Sequence, residues 1–375
     1  MNKICVLLLA LTLLAFDASA QSVQVIAKET RSPQTGGVTT GPKEHLKVGL
    51  VLSGGGARGI AHIGVLEWFE RHRIPVDYVA GTSMGGLVGG MYATGMTPGE
   101  MREFLKKIDW DRAFGGGPSY EQLSFRRKED RNSYQANVEV GLRNGIQIPP
   151  RLSSAHYIGL MIDRMMLPYA NLSSFDELPI PFRCMATDFL SGQPVVLKDG
   201  SISSALRATM SIPGVFPPVE RDGRVLVDGG LLNNIPTNVM RQMGPDILIA
   251  VDAGTPLGDV KTISTLLGIL EQSVTVMTLE NDRRNLRLAD IIIAPELGNQ
   301  SPLEFSDVDK LADLGYQAAE AKAAILKRFA LDEADWQAYL ARRQARRRAS
   351  APIADGLQID GVDASAQEPI RKRLN

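Results

Sequence analysis

The feature that most constrains this chain is the stretch from Lys47 to Gly90, KVGLVLSGGGARGIAHIGVLEWFERHRIPVDYVAGTSMGGLVGG. Val48 to Ser53 is a short apolar run bounded by glycines, the pattern of a strand buried on both faces. Gly54, Gly55 and Gly56 then allow a close approach of backbone to a ligand and φ angles that other residues avoid. From Ala57 the apolar positions Ile60, Ile63, Gly64, Leu66 and Phe69 take helical spacing, so a helix N-terminus with unspent N–H groups follows the glycines. An anion or a developing oxyanion would be stabilised there.

Tyr78 to Gly81 predicts a second strand, and it runs into Gly81-Thr82-Ser83-Met84-Gly85, a G-x-S-x-G nucleophile elbow. In that turn a serine sits between strand and helix with its Oγ exposed, and the flanking glycines let the helix pass close to the strand. Gly54, Gly56 and Gly59 also spell G-x-G-x-x-G, the dinucleotide-binding fingerprint, with Asp77 near the distance where an acid should meet a ribose. Yet Asp77 precedes the second strand, and the strand's far end carries the serine instead. A nicotinamide or flavin site is therefore not expected, and the chain is read without a cofactor.

The N-terminus reads as a processing segment over residues 1–20. Lys3 precedes an apolar run from Ile4 to Phe16, and Ala18-Ser19-Ala20 makes a small-residue cleavage site. The expectation is an exported protein, periplasmic, outer-membrane-associated or secreted. Cys5 departs with that peptide, leaving Cys184 and no internal disulfide. Residues 21–45 are polar and aperiodic, a predicted linker. Over its 375 residues the chain is 44% hydrophobic and carries a formal net charge of −1, which suits one large α/β domain and gives no global basic field for nucleic acid. No Cys/His cluster takes metal-ligand spacing, so no metal site is expected.

Further along, Thr97-Pro98-Gly99-Glu100 predicts a capping box opening a helix through Ile108. Two alternating runs around Arg143-Asn144-Gly145 predict a hairpin over residues 133–149. A helix from Ser154 to Pro168 carries Met161, Met165 and Met166, read as core filling before a groove for acyl chains. Strands are expected at Phe182 to Asp188, Pro194 to Lys198, Val225 to Val227, Asp246 to Val251 and Asp290 to Ala294. Helices are expected from Ser203 to Met210, Ile263 to Leu288 and Asp307 to Phe329, with an apolar, proline-dense loop at Ser211 to Pro218. Strands alternating with helices imply a largely parallel sheet covered on both faces.

A serine nucleophile needs a base, and histidine is a poor candidate here. His156 is the one histidine after Ser83 and none follows Asp228; His45, His62 and His72 precede the elbow. In chain order, the loop Gly54 to Gly59, the elbow Gly81 to Gly85 and the late Asp228-Gly229-Gly230 make the sequence similar to the patatin-like phospholipases from about Lys47 to Phe329. That resemblance implies a three-layer α/β/α fold with a central, mostly parallel sheet over residues 46–330. It also implies a Ser–Asp dyad of Ser83 and Asp228, an oxyanion hole at Gly54, Gly55, Gly56 and Arg58, and hydrolysis of phospholipid or other lipid esters at a membrane surface. Arg58 would either add positive charge at the loop or brace it. The rival in another class is a non-catalytic passenger that binds membranes or partners.

Toward the C-terminus, residues 331–356 read as a helical basic linker, with Trp336, Tyr339 and Leu340 on one side and Arg342, Arg343, Arg346, Arg347 and Arg348 in a solvated end. Residues 357–375, opening Leu357-Gln358-Ile359-Asp360-Gly361-Val362, resemble the first strand and helix of a POTRA module.

Overall fold

The computed structural model describes residues 45–115, 156–254 and 266–351. The expected signal segment, most of the expected linker, the expected hairpin at 133–149 and the expected POTRA-like tail lie outside the described residues.

An eight-stranded mixed sheet organises the body. In chain order its strands are β1 (Val48–Leu52), β2 (Tyr78–Thr82), β3 (Phe182–Asp188), β4 (Gln193–Leu197), β5 (Val219–Arg221), β6 (Arg224–Asp228), β7 (Ile247–Val251) and β8 (Ile291–Ile293). The helices are α1 (Ala61–Arg71), α2 (Met84–Ala93), α3 (Pro98–Lys106), α4 (Trp110–Gly115), α5 (His156–Met166) and α6 (Ile202–Thr209). There follow α7 (Thr237–Met243), α8 (Leu266–Leu286), α9 (Val308–Glu320), α10 (Ala323–Leu326) and α11 (Glu333–Arg346).

β1 lies between β2 and β7, parallel to both; β2 pairs parallel with β3, and β7 parallel with β8. Period-two alternation sends Val48, Leu50 and Leu52 into a large core, shared with α1, α2, α3, α5, α6 and α9. Val51 faces the other way, into a smaller core with Leu248, Ala250 and Met240 of α7. Burial on both faces explains why these strands read as continuous apolar runs.

Register at β3 positions the site. β4 pairs antiparallel along Cys184 to Asp188 and fills one edge of β3. The other edge takes β2 as far as Thr82 opposite Met185, and then β6, running the opposite way, as far as Asp228 opposite Ala186. The two strands therefore end head to head along β3. The residues at those ends, Ser83 and Asp228, meet although 145 positions separate them in sequence.

Several expectations are corrected. β5, directly after the proline-dense loop, was not anticipated; Asp222-Gly223, with φ of 51° and 71°, closes a tight hairpin in which Arg221 pairs with Arg224. The closing helix breaks after Glu320, and the shorter α10 turns Leu326 fully into the core. The basic linker is, in its described part, a docked helix. Trp336 and Tyr339 of α11 are buried and stacked, and the Tyr339 hydroxyl donates to Val76 O at 2.9 Å while accepting its N–H at 3.1 Å. Arg343 is buried against Glu70 and the Tyr92 hydroxyl, each at 3.1 Å. Arg347 meets Glu100 at 2.8 Å, and Arg346 and Arg348 donate to Asp176 and Asn171. The basic run is solvated only in part: Arg343 is buried and Arg347 and Arg348 half-buried against the body, while Arg342 and Arg346 remain exposed.

Breaking a buried ion pair by removing one partner is costly, because the other charge stays in poor solvent. Arg343→Ala is accordingly expected to lower unfolding free energy by about 3 kcal/mol in urea titrations, against under ~0.5 kcal/mol for the exposed neighbour Arg342→Ala.

α1 and α9 cross with almost no space between backbones. A Cβ on Gly64 would fall 1.6 Å from Ala312 O, and one on Gly315 would fall 1.8 Å from Ala61 O. Neither obstacle is a side chain that can swing aside. Gly64→Ala is expected to separate the helices and cost about 3 kcal/mol or more, read in the same titrations.

Candidate active site

Ser83 sits at φ 54°, ψ −125°, a backbone conformation that costs a side-chain-bearing residue energy and persists only where the surroundings enforce it. Two groups enforce it here. Clearance comes from glycine: a Cβ on Gly81 would lie 2.3 Å from Gly85 O, and one on Gly85 would lie 2.3 Å from Leu52 O. The turn is also pinned from α6, where Thr209 Oγ1 accepts the Ser83 N–H at 2.9 Å. Thr82 Oγ1 donates to Asn233 O at 2.8 Å and fixes the preceding residue.

Ser83 Oγ donates to Asp228 Oδ2 at 2.7 Å, and Asp228 Oδ1 accepts the Gly230 N–H at 2.7 Å. Both side chains are buried. Burial pushes the Asp228 carboxyl up to about 6 from an ordinary value of 3.8, against the opposing hydrogen bonds from Ser83 and Gly230. A carboxylate so placed is a stronger base than a solvated one and still ionised at neutral pH.

Above the serine the glycine loop turns over the end of β1. Gly56 has φ 55° and lies against Pro302, so neither its conformation nor its surroundings admit a side chain. Ala57 N–H donates to Pro302 O and Arg58 N–H to Gly55 O. The N–H groups of Gly55, Gly56 and Met84 make no hydrogen bond with the described residues. Gly54 differs: its N–H is spent on Asn234 O at 3.2 Å, and its Cα lies beside Ser83.

Arg58 makes the contacts of the bracing role. Nε donates to Ala253 O at 3.3 Å and Gly254 O at 3.2 Å, and Nη1 to Gly298 O at 3.0 Å and Gln300 O at 3.1 Å. The buried guanidinium ties the glycine loop to the segments following β7 and β8. It is a brace for the loop. His62, also buried, lies against Ser53 O at 2.8 Å, and burial pushes it down to about 4, so it is neutral. Neither His62, His72 nor the exposed His156 is bonded to the Ser83–Asp228 pair. Asp77 accepts the Val48 N–H at 2.8 Å and pairs with His45, a strand-positioning role at the start of β2.

Sequence reasoning missed the support around this pair: Thr209, Met84 as an N–H donor, Asn233, Asn234 and Asp282. Asp282, half-buried on α8, is pushed up to about 6 by burial, with Asp252 adding to the shift. Among these, only the residue after the serine carried a readable signal, since in an elbow its N–H lies at the helix start. Among the described residues no group of three or more His, Cys, Asp or Glu is placed to hold a metal ion.

A family model described as patatin-like phospholipase matches residues 50–241, a span that includes the glycine loop, the elbow and Asp228. A patatin-like phospholipase domain-containing protein of Caenorhabditis elegans is 34% identical over 210 residues, 56% of this chain and 14% of its own length. A lysophospholipase of Meyerozyma guilliermondii is 26% identical over 304 residues, 73% of this chain and 19% of its own. The chain thus spans a small part of those relatives. Human GIVD cytosolic phospholipase A2 aligns with 80% of this chain and 60% of its own at 12% identity, with a TM-score of 0.37.

Proposed function

From the premise that this chain belongs to the patatin-like phospholipase family, we propose that it is a serine lipid acyl hydrolase working through a Ser83–Asp228 dyad. The observation that carries the reading is the 2.7 Å hydrogen bond from a strained, buried serine to a carboxylate raised to about 6. In the mechanism Ser83 Oγ attacks the ester carbonyl as its proton passes to Asp228. The N–H groups of Gly55, Gly56 and Met84, unspent among the described residues, receive the oxyanion. Asp228 returns the proton to the leaving alcohol, and water then releases the acyl group by the same route reversed.

The neighbourhood of the aspartate supports a lipid substrate. Asp228 N–H donates to Ser211 O, and Ser211 borders a narrow, mostly apolar cleft of Ile158, Ile162, Met210, Phe216 and Val219, with Arg207 also in its wall. Its apolar side chains are compatible with contact to an acyl chain. The methionines of α5 divide their work: Met166 is buried, while Met161 and Met165 pack partly exposed against the core. Export on a cleaved N-terminal segment, and action at a membrane surface, complete the proposal. They rest on the Lys3 to Ala20 pattern and on the chemistry of lipid esters.

The test is fatty-acid release by purified protein from phospholipid and lysophospholipid in mixed micelles, beside a short-chain p-nitrophenyl ester. Release from at least one lipid is expected; a folded protein inert toward all of them overturns the reading in favour of a binding module. The same assay reads the base. Proton abstraction needs ionised Asp228, so kcat/KM on the soluble ester is expected to fall about tenfold per pH unit below about 6 and to flatten above it. A limb centred near the ordinary carboxylate value of 3.8 would contradict the environment described for Asp228.

A further inference from the structure

Helix α8 has two faces of opposite purpose. Its inner face is polar and committed: Asn285 Nδ2 donates to Asn233 Oδ1 at 2.9 Å, Asn285 O accepts from Thr237 Oγ1 at 2.6 Å, and Asn281 donates to Leu232 O. Thr278 and Asn285 are buried there. These contacts fix the helix to the segment that immediately follows Asp228-Gly229-Gly230, along one side of the site.

The outer face is unlike an ordinary solvent face. Ile269, Ser273, Val276, Met277, Glu280, Arg283 and Arg284 recur at helical spacing on it, and Arg287 follows just past the helix end. Ile269, Val276 and Met277 are 48%, 56% and 69% exposed. Arg283, Arg284 and Arg287 are exposed and form no ion pair or side-chain hydrogen bond with a described residue. The contrast with α11 is instructive, because there Arg343, Arg346, Arg347 and Arg348 are all engaged by the body. On α8 an apolar stripe is continued by three uncommitted cations against one acid, Glu280.

Resting on the lipid hydrolase reading above, we propose that the outer face of α8 seats the protein on an anionic lipid surface. Ile269, Val276 and Met277 enter the acyl boundary, and Arg283, Arg284 and Arg287 lie among the headgroups. Charge selects this occupant. Two copies of α8 packed antiparallel would set arginines over Ile269 and Ser273, where no carboxylate on the described face meets them. A surface of anionic headgroups satisfies all three cations and receives the apolar side chains in one geometry. The helix that docks is the one whose inner face holds the loop after Asp228.

The test is co-sedimentation of the purified full chain with vesicles of phosphatidylcholine alone and of phosphatidylcholine with one-third phosphatidylglycerol. The same preparations are assayed on a soluble short-chain ester. Partition into the anionic vesicles is expected to exceed that into neutral ones and to weaken with added salt. The double variants Val276→Glu with Met277→Glu, and Arg283→Glu with Arg284→Glu, are each expected to lose roughly tenfold or more of it, with soluble-ester hydrolysis unchanged. Wild-type protein indifferent to anionic vesicles, or variants that partition like wild type, would overturn the proposal. So would conversion of a dimer to a monomer by the Val276/Met277 variant with vesicle binding unaltered. Loss of binding in the variants of a protein that hydrolyses nothing would support the docking surface while removing the enzymatic reading. Hydrolysis that ignores α8 does the reverse.

Discussion

Replacing Ser83 with alanine is expected to abolish ester hydrolysis, with kcat falling roughly 10⁵-fold or more, the scale seen when a serine nucleophile is removed. No other side chain among the described residues donates a hydrogen bond to Asp228. Cys184, the one free thiol among the described residues, is fully buried beside α6, its Sγ directed at Ala205 O and its thiol pushed up to about 12. Stability is expected to change little or rise. The strained backbone at residue 83 is held by Thr209 and by the glycines around it, not by the hydroxyl, so removing Oγ leaves those contacts in place. A hydroxyl-free variant that folds and still turns over the soluble ester would place the nucleophile elsewhere.

Asp228→Asn carries the second large effect. The amide keeps the size of the carboxylate and can still accept the Gly230 N–H, but it takes no proton from Ser83. About 10⁴-fold in kcat is expected to be lost, as when a triad carboxylate is neutralised, with the remainder supplied by the oxyanion loop. The stability consequence has the opposite sign. Because burial raises this carboxyl from 3.8 to about 6, the folded state holds its proton more tightly than the unfolded chain, and the wild type loses stability as pH climbs through that window. Asparagine escapes that penalty. The variant is therefore expected to match or exceed wild-type stability at pH 7, with its advantage shrinking as pH falls from about 6 and gone by about 4. Thermal unfolding at the two pH values reads this directly, and it separates a lost base from a lost fold.

Much of this was legible in the residues. The run Val48 to Leu52 announces a doubly buried strand, because both faces of β1 meet apolar layers. Gly81, Ser83 and Gly85 announce the elbow, because only glycine fits where Gly85 passes Leu52 O. Asp-Gly at 228–229 was informative only in company with the other motifs, since the dipeptide alone describes a turn. The pairing of Ser83 with Asp228 depends on register along β3, which no local pattern encodes. Thr209 and Asn234 escaped for the same reason: each reaches the site through tertiary placement of α6 and of the loop after β6. The C-terminal arginines misled because a cluster of like charges reads as a solvated run, whereas the acids that absorb it, Glu70 and Glu100, lie over two hundred positions away.

The central claim is that Asp228 activates Ser83, and the most direct measurement is covalent trapping. Purified protein is treated with a long-chain fluorophosphonate and the modified residue is mapped by mass spectrometry, with Asp228→Asn treated in parallel. The account predicts stoichiometric modification at Ser83 in the wild type and its disappearance in the variant. Modification of another residue, equal labelling of the folded Asp228 variant, or an unlabelled wild type would contradict it.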